Sequence, residues 1–190
     1  MSAARQTKAQ RFEQLAAPLE RQVYFTCLHM MGNPQDAEDC AQEALLKAFR
    51  KLDSFRGDAQ FSTWLYTLAA RTCLDALRKR REAFSLDALA EDGFEIPDEQ
   101  AEIFLRLEEK ERKAALRQAI SQLPADFRAA VVLVDLQGLP YREAARALDI
   151  PEGTLKSRVS RARSTLYKIL LKHGELFLAE DRLSGERRDG

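Results

Sequence analysis

One stretch restricts the fold of this chain more than any other: Pro140-Tyr-Arg-Glu-Ala-Ala-Arg-Ala-Leu-Asp-Ile-Pro-Glu-Gly-Thr-Leu-Lys-Ser-Arg-Val-Ser-Arg-Ala-Arg163. It reads as two short helices meeting at a tight turn. Ala145 is small enough for close helix approach, and Asp149, four residues on, tolerates the left-handed backbone that the turn requires. Ile150, Leu155 and Val159 then have the spacing to bury between the two helices. Thr154, Lys156, Ser157, Arg158, Ser160, Arg161 and Arg163 are left to divide among the outward faces. In a helix-turn-helix the second helix enters the major groove by its N-terminal part. There Arg and Lys pair with guanine edges, Ser serves donor or acceptor edges, and the remaining cations meet phosphates. An ordinary helical hairpin with a solvated basic face would share the charge, but not the small residue, the turn residue and the three core positions together.

The rest of the chain is also helical in pattern. Eight Gly and six Pro among 190 residues leave few breaks in a sequence rich in Ala, Leu, Glu, Arg and Lys, which are strong helix formers. A first helix is expected from Phe12 to Met31, closed by Gly32 as a left-handed cap. Asn33-Pro34 starts the next as N-cap and first helical residue, with Asp36, Glu38 and Asp39 near its positive end, and it runs to about Leu52. After a loop from Asp53 to Gln60, a third helix covers about Phe61 to Arg81. Gly93 and Pro97 interrupt the periodicity between Ala83 and Pro97. Helices then follow from about Asp98 to Leu123, from Pro124 to a stop at Gly138, from Pro140 to Leu148 and from Glu152 to Lys172. The expected fold is all-α, in two small helical domains at residues 10–82 and 112–174. An acidic linker at 83–111 joins them, and a polar tail at 175–190 is expected to fray.

Net charge is zero, which would argue against a nucleic-acid partner if the charge were evenly spread. It is not. Asp87 to Glu111 holds ten acidic and two basic residues, whereas Glu152 to Lys172 holds six basic and one acidic. With Arg78-Lys79-Arg80-Arg81, this makes two basic patches flanking an acidic stretch, the pattern of two DNA-facing surfaces joined by something that faces elsewhere. The longest apolar run, Ala129 to Val134, is a core-helix length far below the roughly 20 residues of a membrane span. Met1 to Gln10 has no apolar signal core, so a cytoplasmic location and no membrane insertion are expected. Cys27, His29 and Cys40 lack zinc-knuckle spacing, and Cys27, Cys40 and Cys73 are expected to be buried free thiols. With no glycine-rich phosphate loop and no catalytic constellation around either histidine, neither enzyme activity, cofactor, metal nor small-molecule substrate is expected.

Two features of the N-terminal half lie outside the core stripes. Ala37, Cys40, Ala41, Ala44, Leu45, Ala48, Phe49 and Leu52 form one buried stripe at helical spacing. Leu46 points roughly 140° away from it, among Asp39, Gln42, Glu43 and Arg50. It is either an isolated exposed leucine or the apolar anchor of a protein-docking face with those residues as its rim. In the third helix Trp64, Arg71 and Arg78 recur at seven-residue intervals on a face apart from the core stripe Phe61, Leu65, Leu68, Ala69, Thr72, Cys73 and Ala76. An aromatic interleaved with cations suits single-stranded DNA, where stacking is worth roughly 1–3 kcal/mol per base. A tryptophan at the core margin with a solvated basic rim explains the same spacing.

Together these features resemble the extracytoplasmic-function (ECF) sigma factors of the sigma-70 superfamily. The residues that carry the resemblance are Asp36-Ala-Glu-Asp-Cys-Ala-Gln-Glu43, Phe55-Arg-Gly-Asp58, Phe61-Ser-Thr-Trp-Leu65, Leu123-Pro-Ala-Asp-Phe-Arg128 and Gly153-Thr-Leu-Lys-Ser-Arg-Val-Ser-Arg-Ala-Arg163. They stand in the family's order and spacing. The resemblance implies a sigma-2 and a sigma-4 domain that bind RNA polymerase core and direct promoter-specific initiation. It places Asp39, Gln42, Glu43, Leu46 and Arg50 on the clamp helices of the largest polymerase subunit, with the flap as a further contact. Phe55, Arg56, Asp58, Phe61, Trp64, Arg71 and Arg78 would open the −10 element and capture a flipped base, whose unstacking costs a few kcal/mol. The helix from Thr154 to Arg163 would read the −35 element.

The resemblance also implies an anti-sigma factor as a regulatory partner that covers both DNA faces. Many relatives have Asn where this chain has Arg71, and Arg cannot present an amide's acceptor oxygen, which bears on base preference at −10. The acidic linker would either thread a basic polymerase channel or act as a solvated spacer. A stand-alone helix-turn-helix regulator, with an N-terminal lobe that dimerises or binds a ligand, is the alternative. It explains Thr154 to Arg163 equally well but gives no reason for Leu46 or Trp64.

Overall fold

The computed structural model describes residues 7–84 and 105–172, and every regular element in them is helical. The acidic segment at 85–104 and the tail after 172 lie outside the described residues, as do the expectations placed on them. The N-terminal lobe holds α1 (Lys8–Ala16), α2 (Glu20–Met31), α3 (Pro34–Lys51) and α4 (Phe61–Phe84). The C-terminal lobe holds α5 (Leu105–Ser121), α6 (Ala125–Val131), α7 (Tyr141–Leu148) and α8 (Glu152–Lys172).

Local chemistry sets most of these boundaries. Thr7 and Gln10 form a reciprocal capping box that starts α1, satisfying two N-terminal N–H groups that have no partner within the helix. The single helix expected from Phe12 to Met31 is in fact two, because Ala17–Leu19 tightens to a 3-10 turn around Pro18. Proline has no N–H to give and its ring clashes with the preceding turn. Gly32 ends α2 at φ +83°, its N–H on the Leu28 carbonyl at 2.9 Å. Asn33 caps α3 by accepting from the Asp36 N–H at 2.8 Å. In the C-terminal lobe, α6 widens into a π turn at Val132–Leu136, so the segment from Pro124 to Gly138 is not one regular α-helix.

Packing follows the size of the buried side chains. The inward face of α3 is Ala37, Cys40, Ala41, Ala44 and Ala48, small enough for α2 and α4 to pack closely on it and on each other. Cys27, Cys40 and Cys73, one from each of these helices, are buried free thiols. Hydrogen bonding with the Cys27 and Cys40 thiols, together with burial, pushes the Cys73 thiol up. His29 bonds the Phe25 carbonyl at 2.6 Å, and burial lowers its pKa. Among the described residues no group of three or more His, Cys, Asp or Glu is placed to hold a metal ion.

The two lobes pack against each other. A single apolar cluster runs from Val23 and Met30 through Ile120, Leu123 and Val132 to Leu155 and Val159, with α2 against α5 and α6, and α4 against α6 and α7. Half-buried Arg128 pins the seam. Its guanidinium donates to the carbonyls of Met30, at the end of α2, and Ser121, at the end of α5, and reaches the Leu123 carbonyl at 3.0 Å. The last carbonyls of a helix have no internal donor and carry its negative end, so one cation serves two helix ends from different lobes. Removing it should cost about 3 kcal/mol. Arg128→Ala is expected to lower the urea midpoint accordingly, and Arg128→Lys to recover only part of the loss because an ammonium lacks the planar fork.

Candidate nucleic-acid and polymerase interfaces

The turn between α7 and α8 is built around Asp149, which adopts φ 54° and ψ 47°. The Ile150 N–H closes on the Ala145 carbonyl at 3.1 Å. Leu155, Val159, Ala162 and Leu166 form the buried side of α8. Ile150, expected to bury between the two helices, is only half-buried, because it lines the cleft between the lobes. Lys156, Ser157, Ser160, Arg161 and Arg163 are exposed, and Thr154 and Arg158 half-exposed.

Not all of these cations are equally available. Arg158 pairs with Asp126 of α6 at 2.9 Å and lies along the cleft. Arg163 grips both oxygens of Asp135 with Nε and Nη2. That carboxylate pushes the Arg163 pKa up. Lys156 bonds Glu152 one turn back at 2.8 Å, which lowers the Glu152 carboxyl and raises the Lys156 ammonium. Arg161 has no carboxylate partner among the described residues. The open part of the face is therefore Ser157, Ser160 and Arg161. Two of the three carboxylates that hold the other cations, Asp126 and Asp135, were not legible as partners because they lie on α6 and the π turn.

In the N-terminal lobe Phe55, Phe61 and Trp64 make one aromatic cluster with ring centroids 5.1–5.5 Å apart. Beside it the loop closes a shallow pocket of about 200 Å³ lined by Ser54, Phe55, Arg56, Gly57, Asp58, Ala59 and Trp64. Gly57 turns that loop at φ +79°. Arg56 and Asp58 are exposed at its rim. The three residues expected at seven-residue intervals on one face do not share an open surface here. Trp64 belongs to the aromatic cluster. Arg71 reaches the other lobe, donating to the carbonyls of Ala147 at 2.6 Å and Arg146 at 3.0 Å. Arg78 lies 3.9 Å from Asp75 and lines the same cleft as Arg158. The reason is that α4 packs on α6 and α7, which sets Arg71 against the end of α7 while Arg78 stays exposed at the edge of the cleft.

Leu46 is 49% exposed, directly opposite the buried alanines of α3. Asp39, Gln42 and Arg50 are exposed and Glu43 half-exposed around it. Gln42 bonds Glu38 at 3.5 Å. Lys47 pairs with Glu43 at 3.5 Å and reaches the Thr72 hydroxyl at 3.3 Å. Glu38 and Lys47 thus extend the rim that the sequence pattern defined.

Comparison with known proteins assigns both lobes. The family model for sigma-70 region 2 matches residues 15–83, and that for sigma-70 region 4 matches residues 113–166. The ECF RNA polymerase sigma factor SigM of Mycobacterium tuberculosis is 37% identical over 159 residues, covering 84% of this chain and 76% of that protein. The ECF RNA polymerase sigma-E factor of Escherichia coli K12 is 42% identical over 138 residues, covering 69% of this chain and 72% of that protein. Among solved structures, the sigma factor RpoE of Bartonella quintana, crystallised with the anti-sigma factor NepR, superposes with a TM-score of 0.69. That pair is 30% identical and the match covers 84% of this chain and 96% of RpoE. CnrH, in complex with the cytosolic domain of CnrY, gives a TM-score of 0.59 at 25% identity over 85% of this chain and 88% of CnrH. A stand-alone regulator is not favoured, since the N-terminal lobe matches a sigma region and not a dimerisation or ligand-binding module. No described helix is long and apolar enough to cross a membrane. The chain belongs to the extracytoplasmic-function sigma factors of the sigma-70 superfamily, a family of RNA polymerase specificity subunits and not of enzymes.

Proposed function

We propose that the two lobes divide promoter recognition between them. The helix α8 reads the −35 duplex in the major groove through Thr154, Lys156, Ser157, Arg158, Ser160, Arg161 and Arg163. The loop and start of α4 hold unpaired −10 DNA through Phe55, Arg56, Asp58, Phe61 and Trp64, with Arg71 and Arg78 on the phosphates. The face of α3 around Leu46, with Asp39, Gln42, Glu43 and Arg50, docks on the polymerase clamp. The observation that carries this reading is the pairing, in one chain, of an exposed Ser157-Ser160-Arg161 face on a helix-turn-helix with an aromatic-walled loop pocket at Trp64. The first suits duplex edges and the second a base taken out of the stack. The complex of RpoE with the anti-sigma factor NepR supports an anti-sigma factor as a further partner. The cytoplasm is the compartment that suits a polymerase subunit.

Three measurements test the division of labour. Arg161→Ala should weaken binding to −35 duplex by roughly 1–3 kcal/mol and leave polymerase core binding unchanged; loss of core binding would reverse the assignment of surfaces. Leu46→Ala should do the opposite, weakening core binding with −35 recognition retained. Trp64 is the only tryptophan in the chain. Its fluorescence should be quenched when the polymerase complex takes up single-stranded −10 DNA, and an unchanged signal would remove Trp64 from the pocket.

A further inference from the structure

The promoter reading implies a distance. Elements centred at −10 and −35 are about 25 base pairs apart, which at 3.4 Å per pair is roughly 85 Å of duplex. A compact body of the size described here, with its lobes packed together, is roughly 40 Å across. The lobes must therefore separate before one chain can hold both elements, and the seam between them is a barrier to function.

Arg71 sits at that seam and bonds only the opposite lobe. Its side chain is exposed at the surface and makes no hydrogen bond within its own lobe among the described residues. Instead Nε and Nη2 bracket the last turn of α7, donating to the Ala147 and Arg146 carbonyls. These carbonyls belong to the first helix of the helix-turn-helix, and their partial negative charge attracts a cation. The neighbouring crossing cation behaves differently. If the lobes part, Arg128 keeps the Ser121 and Leu123 carbonyls of its own lobe and gives up only Met30. Arg71 gives up both of its partners.

We propose that Arg71 is a latch: it holds the lobes in a closed form that cannot engage polymerase with both lobes, and on opening it is released to the −10 phosphates. The inference rests on the promoter reading above. The two roles are mutually exclusive, because one guanidinium cannot bracket the α7 carbonyls and a phosphate separated from them by the opened seam. A closed fraction reduces the apparent affinity for core in proportion to its population.

The test uses the full-length chain with donor and acceptor dyes attached through unnatural amino acids at exposed Glu13 and Lys168, so that the buried cysteines are untouched. Lobe separation is read by single-molecule energy transfer, and affinity for polymerase core is measured without any DNA, where a −10 contact is silent. Arg71→Ala should lengthen the separation and tighten core binding roughly three- to tenfold, the weight of one to two hydrogen bonds. Arg71→Lys, which keeps the charge but not the fork, should fall between. An unchanged separation, or a lengthened one with unchanged core affinity, overturns the latch. Failure of the unaltered chain to bind core at all would overturn the promoter reading instead.

Discussion

The arrangement of this molecule depends on guanidinium groups placed against the ends of helices from the opposite lobe. The Met30 carbonyl at the end of α2 and the Ala147 carbonyl at the end of α7 lack donors within their own helices, and Arg128 and Arg71 supply them across the seam. Apolar burial brings the lobes together without specifying a register, because it is non-directional. The planar fork of arginine supplies the direction. It fixes α2 against the start of the C-terminal lobe and α4 against the helix-turn-helix, and so decides which surfaces face outward while the lobes are packed together.

The same logic orders the charge on α8. A recognition helix with every cation free would bind phosphate indiscriminately. Here Asp126 and Asp135 hold Arg158 and Arg163, and Glu152 holds Lys156. What remains open is a narrow strip of two serines and one arginine.

Much of the fold was legible in the sequence because it is local. The left-handed turn at Asp149, the cap at Gly32, the alanine stripe of α3 and the exposure of Leu46 each follow from backbone preference and helical period within a few residues. Pro18 was equally local, but its break was hidden inside an otherwise continuous apolar pattern from Phe12 to Met31. The spacing of Trp64, Arg71 and Arg78 revealed a shared period and left open whether that side of α4 meets DNA or lies at the core margin. Period tells which residues lie on one side of a helix and nothing about what covers that side.

What the sequence by itself determined was the all-helical class, most of the helix bounds and buried faces and, through five dispersed motifs, the family. The helices and their buried faces arise from neighbours one to four residues apart, and each motif is a short run of the same kind. The tertiary structure alone decided the partner of each arginine: Asp135 for Arg163 at a separation of 28 residues, Ala147 for Arg71 at 76, and Met30 for Arg128 at 98. A guanidinium accepts any suitably placed carboxylate or carbonyl, so its composition and period name no partner. Only the packing of the lobes places one within reach.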